Sequence, residues 1–237
     1  MYLAKTNPQD RQRKPSQRAQ QTREAIFSAA EQLFSERGFE GTATRDIAAR
    51  AGVTAALVSF HGHNKRALFE SVVEARARDL SAAREAALAA ALAENPAPPL
   101  RVILACFIRP LLERATGDDP GWRAYARLIA LTSADPQWRE LTSRCFDPTV
   151  ARFTSAIAAR YPGATRDNLA AGLVFSVSSM LALCTSTWRI EALAGRATDT
   201  HATGTCCGGY IDALITYTEA GLHALGCCQP DPGPAAR

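Results

Sequence analysis

The chain has 237 residues, 47% hydrophobic and only 7% aromatic, with a net charge of +4. It is rich in Ala, Leu and Arg and lacks runs of β-branched residues, which argues against a sheet and predicts an all-α protein. The length suits two modest domains or one large one. Charge is unevenly spread: Lys5, Arg11, Arg13, Lys14, Arg18 and Arg23 against Asp10 give residues 1–23 a net +5 and leave the remainder at −1.

Residues 1–15 are polar and basic and contain Pro8 and Pro15. They read as a disordered arm that follows phosphates and makes binding salt-dependent. The charged start has no apolar core of a secretory signal. With an odd count of seven cysteines, this points to the cytoplasm and free thiols. A first helix runs from Ser16 or Thr22 to Arg37, with Ile26, Ala29, Ala30, Leu33 and Phe34 on one stripe, and Gly38 stops it. A second helix covers residues 43–51, with Thr42 or Thr44 as its N-cap. Gly52 supplies a left-handed turn residue, and Thr54 caps a third helix over 55–61. Ile47, Ala48, Ala51, Val53 and Leu57 or Val58 form the apolar set that locks this pair at a steep angle. The layout is that of a helix-turn-helix, whose second helix enters the DNA major groove. The face left free, Thr54, Ala55, Ala56 and Ser59, is small and polar, so it can sit close to base edges. Asn64 caps a fourth helix, whose N-terminus with Lys65 is placed to meet a phosphate. Leu68, Phe69, Val72 and Val73 open that helix, and an Ala-rich run continues to Glu94, about 45 Å in all at 1.5 Å per residue. Pro96, Pro98 and Pro99 end it.

Gly38-Phe39, Thr42, Arg45-Asp46-Ile47-Ala48, Ala51-Gly52-Val53-Thr54, Phe60-His61, Asn64-Lys65 and Leu68-Phe69 together resemble the N-terminal domain of TetR-family transcriptional regulators. The resemblance implies phosphate contacts from Arg45, His61, Lys65 and the basic arm. It implies base contacts from Thr54, Ala55, Ala56 and Ser59, with Phe60 as the aromatic near the DNA backbone. The chain departs from the family at one point. The family continues His-aromatic-Gly-[Ser/Asn]-Lys, whereas this chain reads His61-Gly62-His63-Asn64-Lys65. The aromatic beneath the recognition helix is missing, and glycine comes one residue early.

Five more helices are predicted, over 100–116, 120–132, 136–160, 166–193 and 209–225, with Pro110 and Pro148 as possible kinks in the first and third of these. Val102, Ile103, Cys106, Phe107 and Leu111 face inward on the first. Residues 194–208 read as a loop and 227–237 as a disordered Pro-rich tail. The domains are therefore the arm 1–15, a helix-turn-helix domain 16–63, and a helical effector-binding and dimerisation domain 64–226 with the fourth helix as connector. Residues 169–188 carry no charge, a length that can span a membrane. Ser176, Ser178, Ser179, Thr185, Ser186 and Thr187 make them too polar for that, and a buried or interface helix is the reading. The resemblance implies a homodimer through the last two long helices, with Tyr210, Ile211, Leu214, Ile215, Tyr217, Thr218, Leu222 and Leu225 on the second. Two-fold symmetry then matches a palindromic operator in double-stranded DNA.

There is no Gly-rich phosphate loop, no G-x-S-x-G and no H-E-x-x-H, so no cofactor and no enzymatic activity are expected. His61 and His63 read as a phosphate contact and a turn residue rather than metal ligands, and no metal site is expected. His201 and His223 lie far along the chain. The vicinal pairs Cys206-Cys207 and Cys227-Cys228 lack zinc-type spacing, which leaves oxidant or soft-metal sensing as their functional reading beside none at all. The resemblance places a small-molecule pocket among helices 4 to 8. Its candidate lining is Phe107, Leu111, Trp122, Tyr125, Leu128, Phe146, Val150, Phe153, Phe175, Ser178, Ser179 and Trp188, each of which also reads as plain core. The run Tyr125-Ala-Arg-Leu-Ile-Ala with Phe146-Asp147-Pro148 is similar to effector domains of TetR regulators of fatty-acid metabolism, which points to an apolar or acyl-type ligand. The expected function is a homodimeric repressor released from its operator by such a ligand. The alternative is a sequestering protein of the same fold with weakened DNA binding.

Overall fold

Short polar side chains and glycines set where the helices begin and end. The computed structural model describes residues 17–195 and 208–227. The arm 1–15, His201, Cys206, Cys207, Cys228 and the tail beyond it lie outside the described residues. The helices are α1 (Gln17–Arg37), α2 (Thr44–Ala51), α3 (Ala55–Gly62), α4 (Lys65–Glu94), α5 (Leu100–Thr116), α6 (Pro120–Ala134), α7 (Arg139–Ala158), α8 (Arg166–Leu193) and α9 (Ile211–Cys227). Single 3₁₀ turns, Pro136–Trp138 and Gly208–Tyr210, precede α7 and α9. They shorten two predicted helices at their starts. No strand occurs among the described residues. Thr54 caps α3 by accepting from Leu57 N–H at 3.4 Å, and Asn64 caps α4 by accepting from Ala67 N–H at 2.8 Å.

The capping reading fails at α2. Its N-cap is Ala43, with no side-chain bond. Thr42 is buried, and its hydroxyl donates back to the carbonyls of Gly38 at 2.8 Å and Leu33 at 3.2 Å. It ties the end of α1 instead. Leu57 also turns outward, and Val58 alone fills the lock.

The first core joins Ile26, Ala29, Ala30, Leu33 and Phe34 of α1 to Ile47, Ala48, Val58, Leu68, Phe69, Val72 and Val73. Leu128, Trp138 and Leu141 from beyond α5 complete it. Trp138 stacks on Phe69 at 4.2 Å between centroids and stands edge-on to Phe39 at 5.0 Å. Each buried aromatic contributes roughly 150–250 Å² of contact surface. The N-terminal head is thus packed against the body and shares its core across residue 63. Leu128, a candidate ligand contact, belongs to this head core, because α6 runs along α1.

The second core fills the body. Leu80 and Leu88 of α4 meet Ile103, Leu104, Phe107, Ile108 and Leu111 of α5, Tyr125 and Ile129 of α6, Phe153 of α7, Leu173 and Met180 of α8, and Ile215 and Leu222 of α9. A Cβ at Gly172 would collide with Leu222, so glycine lets α8 and α9 approach closely. The helix α8 has the length and hydropathy to cross a membrane, yet one face of it, from Leu169 through Leu173 and Ser176 to Leu183, is buried in the body. It breaks at Ser186, with φ −133° and ψ 21°. Thr185 Oγ1 donates to the Leu181 carbonyl at 3.0 Å and Thr187 Oγ1 to that of Leu183. Such back-bonding competes with the helical ladder and bends it.

Candidate functional site

At the end of α2, Gly52 adopts φ 65°, ψ 32°, and Val53 N–H closes on the Ala48 carbonyl at 3.0 Å. This left-handed turn, cheap only for glycine, sets α3 steeply against α2. Buried Ile47, Ala48 and Val58 fix the pair against α1 and α4. Ala55, Ala56, Ser59 and Phe60 share one exposed face of α3, opposite Val58, with Thr54 exposed at its start. The predicted base-reading residues therefore come together. Of the two inward candidates, Val58 is buried and Leu57 is exposed, an apolar side chain on the outer side of the same short helix.

The phosphate candidates divide. Arg45 reaches outward, its side chain 88% exposed, with Nε in a loose ion pair with Asp46 at 3.7 Å. Lys65 is engaged: its Nζ donates to the Phe39 carbonyl at 3.0 Å and lies 4.2 Å from the Phe39 ring centroid. A phosphate at α4 would share this ammonium with the fold. Phe60 is 75% exposed and stands edge-on to half-buried His61 at 5.1 Å. His63 has φ 58° and ψ −65°, the one positive-φ residue other than glycine among the described residues. Asn64 N–H meets the Gly62 carbonyl at 2.6 Å, closing a γ-turn. At Gly62 an added Cβ would lie 2.9 Å from Leu68 Cβ. Leu68 therefore occupies the space beside the position that holds an aromatic in the family pattern.

In the body, Phe107, Leu111, Trp122, Tyr125 and Phe153 are buried together, with Phe146 packed against them. Val150 and Ser179 are half-buried. Phe175, Ser178 and Trp188 do not join them: all three are exposed, Phe175 by 60%. A helix apolar on two sides leaves periodicity unable to say which side its own core takes. The sequence reading passed over Arg84. This residue is 4% exposed and sits on the α4 stripe of Ala77, Leu80 and Leu88. Its Nε donates to the Phe107 carbonyl at 2.8 Å, and its Cζ lies 3.9 Å from the Phe107 ring centroid. No carboxylate pairs with it among the described residues. Burial pushes its pKa down to about 10. An uncompensated buried charge typically costs several kcal/mol, so its position calls for a reason. The Tyr125 hydroxyl is also buried and without a partner among the described residues.

Head and body are joined by charge as well as by rings. Arg76 of α4 donates to both oxygens of Glu31 on α1, at 3.0 and 3.1 Å, and to Asp119 at 3.3 Å. Trp122 lies between Arg76 and Arg114, 4.9 and 4.6 Å from the ring centroid. The two ends of the pair respond differently. Desolvation pushes the Glu31 carboxyl above its ordinary value in spite of Arg76, whereas Glu31 and Asp119 hold Arg76 above its own. The carboxylate is the more deeply buried partner, so the burial cost falls on it.

Residues 26–72 match the family described as bacterial regulatory proteins, tetR family, and residues 105–221 match the tetracyclin repressor-like C-terminal domain. The chain belongs to the TetR family of transcriptional regulators. It is similar to the HTH-type transcriptional repressor BepR of Brucella suis, 43% identical over 61 residues, which are 26% of this chain and 29% of BepR. It is also similar to the HTH-type transcriptional regulator BetI of Burkholderia thailandensis, 28% identical over 81% of this chain and 93% of BetI. A tetR-family regulatory protein structure from Rhodococcus RHA1 shares the fold, with a TM-score of 0.58 at 20% identity over 88% of this chain and 98% of that one. As a TetR-family member, the chain is a DNA-binding regulator of transcription and not an enzyme. The Cys106 and Cys145 thiols fit no nucleophilic role. Burial raises the Cys106 pKa and lifts Cys145 to about 11, while the thiolate is the reactive form. No group of three metal-ligating side chains gathers among the described residues.

Proposed function

We propose that this TetR-family regulator is a cytoplasmic homodimeric repressor that leaves a palindromic operator when a small, largely apolar ligand binds its body. The observation that carries the reading is the outer face of α8 and α9. Val174, Phe175 and Ser178 on α8 and Tyr217 on α9 are exposed, with no charged residue between Leu169 and Trp188. An exposed apolar patch of this kind marks an association surface, and its isologous use gives the two-fold axis a palindrome needs. Phe175 and Ser178 thus contribute to the dimer rather than to the ligand site.

On DNA, Arg45 and His61 contact phosphates, with Lys65 and the arm in support. Thr54 and Ser59 supply the hydroxyls at base edges, and the methyls of Ala55 and Ala56 suit thymine methyl groups. Repression is favoured because the related BepR is named a repressor. Ligand release would act through α4, which carries Arg76 of the head–body ion pair as well as Arg84 of the body core. A hundredfold difference in ligand affinity between the two states supplies about 2.7 kcal/mol.

The test is sedimentation velocity of the wild type and of a Val174→Asp/Phe175→Asp variant. The wild type is expected as a dimer and the variant as a folded monomer with weaker DNA binding. A monomeric wild type, or a variant that stays dimeric, refutes the interface.

A further inference from the structure

We propose that Arg84 and Tyr125 form the anion-recognising end of an effector site inside the body, and that the effector is a small amphiphile with a carboxylate head. The inference rests on the reading that the body binds an effector, and it names that ligand's chemistry.

The argument is one of unmet valence. Guanidinium stays charged and offers five N–H donors in a planar fork. In Arg84, Nε is used by the Phe107 carbonyl and Nη2 meets only the Met180 sulfur, at 3.6 Å. Sulfur is a weak acceptor, and Nη1 has no partner among the described residues. The other inward-reaching arginine of α4, Arg76, has its carboxylate in Glu31; Arg84 has none. One carbonyl and the face of the Phe107 ring engage only part of a permanent charge held in an apolar core. The Tyr125 hydroxyl, on α6, is a second buried donor with nothing to donate to. The two groups sense one another: Arg84 counteracts the upward push that burial exerts on the Tyr125 pKa. A carboxylate accepts the guanidinium fork through two oxygens and has lone pairs left for a hydroxyl.

The surroundings suit an apolar tail. Phe153 stands edge-on to Phe107 at 5.1 Å, Trp122 edge-on to Tyr125 at 5.6 Å, and Met180 is an adaptable neighbour. The site also touches the parts that must move. Arg84 follows Arg76 by eight residues of α4, about 12 Å at 1.5 Å per residue. Trp122 joins the Tyr125 ring to the Arg76–Glu31 pair. A head group drawing on Arg84 therefore acts on the connector helix and on the contact that orients the DNA-binding head.

The experiment uses the full chain with three ten-carbon probes: decanoate, decanol and decyltrimethylammonium. Calorimetric titration and thermal melting are run on wild type, Arg84→Met and Tyr125→Phe. Release of a duplex taken from a random-pool selection is followed by fluorescence anisotropy. Decanoate is expected to stabilise the wild type and to bind at least about tenfold more tightly than decanol, since charge-assisted bonds are roughly twice as strong as neutral ones. Arg84→Met should lose that preference yet melt no lower than wild type without ligand, because a buried unpaired charge has been removed. Tyr125→Phe should weaken decanoate alone. Equal binding of the three head groups, no stabilisation by decanoate, or an Arg84→Met variant that keeps the preference would overturn the proposal. A large loss of melting temperature in ligand-free Arg84→Met would do so too, by making the guanidinium structural. Arg84-dependent decanoate binding without duplex release upholds the site and refutes release. Equal release from wild type and Arg84→Met upholds release and removes Arg84 from the site.

Discussion

Replacing His63 by glycine should stabilise this protein, although it deletes a whole imidazole. The residue centres a γ-turn at φ 58° and ψ −65°, and its exposed side chain has no hydrogen bond or ring contact among the described residues. Left-handed backbone costs an L-residue about 1–2 kcal/mol through its Cβ, and this kind of γ-turn is among the strained ones. Glycine removes that term but frees the unfolded chain by about 0.5–1 kcal/mol. The balance favours His63→Gly by about 0.5–1 kcal/mol, a rise of about 1–4 °C in melting temperature for a chain of this size. Thermal melting beside His63→Ala decides it, since alanine keeps the Cβ and should show no gain. A His63→Gly variant that melts lower, or an alanine variant that gains as much, refutes the reasoning. At the preceding position the sign reverses. Gly62→Ala drives a Cβ to 2.9 Å from that of buried Leu68 and should cost about 1–3 kcal/mol as overpacking.

Three further outcomes follow from the same contacts. Arg45→Ala should weaken binding to all DNA sequences alike and flatten the log–log salt slope by about 0.9, one phosphate's worth; an unchanged slope removes Arg45 from the contact list. Trp138→Ala deletes the ring packed on both Phe39 and Phe69 and should cost about 3–5 kcal/mol in urea unfolding. A loss under about 1 kcal/mol would mean that this ring does not hold head to body. Glu31→Gln should change how stability depends on pH. The native carboxyl titrates above its ordinary value of 4.5 because burial disfavours its charge. In that window the native state holds a proton the unfolded chain has lost. The stabilisation is complete below 4.5 and is lost as pH rises through the native value. Wild type minus variant stability, measured by melting from pH 4.5 to 7.5, should therefore decline with pH; a flat difference would contradict the burial argument.

Most helix limits were legible because caps and stripes agreed. Thr54 and Asn64 each preceded an apolar run and do cap it, and the proline cluster after Glu94 closes a 30-residue α4. Thr42 looked equally suited, but its hydroxyl is drawn to the end of α1, a tertiary choice that local pattern does not encode. Which core Leu128 joins, and which face of α8 carries Phe175, also depend on neighbours distant in sequence. Arg84 differs from these. Ala77, Leu80 and Leu88 mark a stripe on which residue 84 falls, so a charge at a core position could have been read from spacing alone. The predicted base-reading residues lie on one exposed surface at α3, whereas the phosphate candidates divide among three helices and the predicted ligand set separates into head core, body core and outer face.

The central claim is that this head reads a specific palindrome as a dimer, and selection of bound duplexes from a random pool at near-physiological salt tests it most directly. The account predicts a two-fold symmetric motif with half-sites about one helical turn apart. Weak, salt-sensitive binding with no enriched motif would contradict it, and the chain would then be a sequestering protein that keeps the fold without an operator.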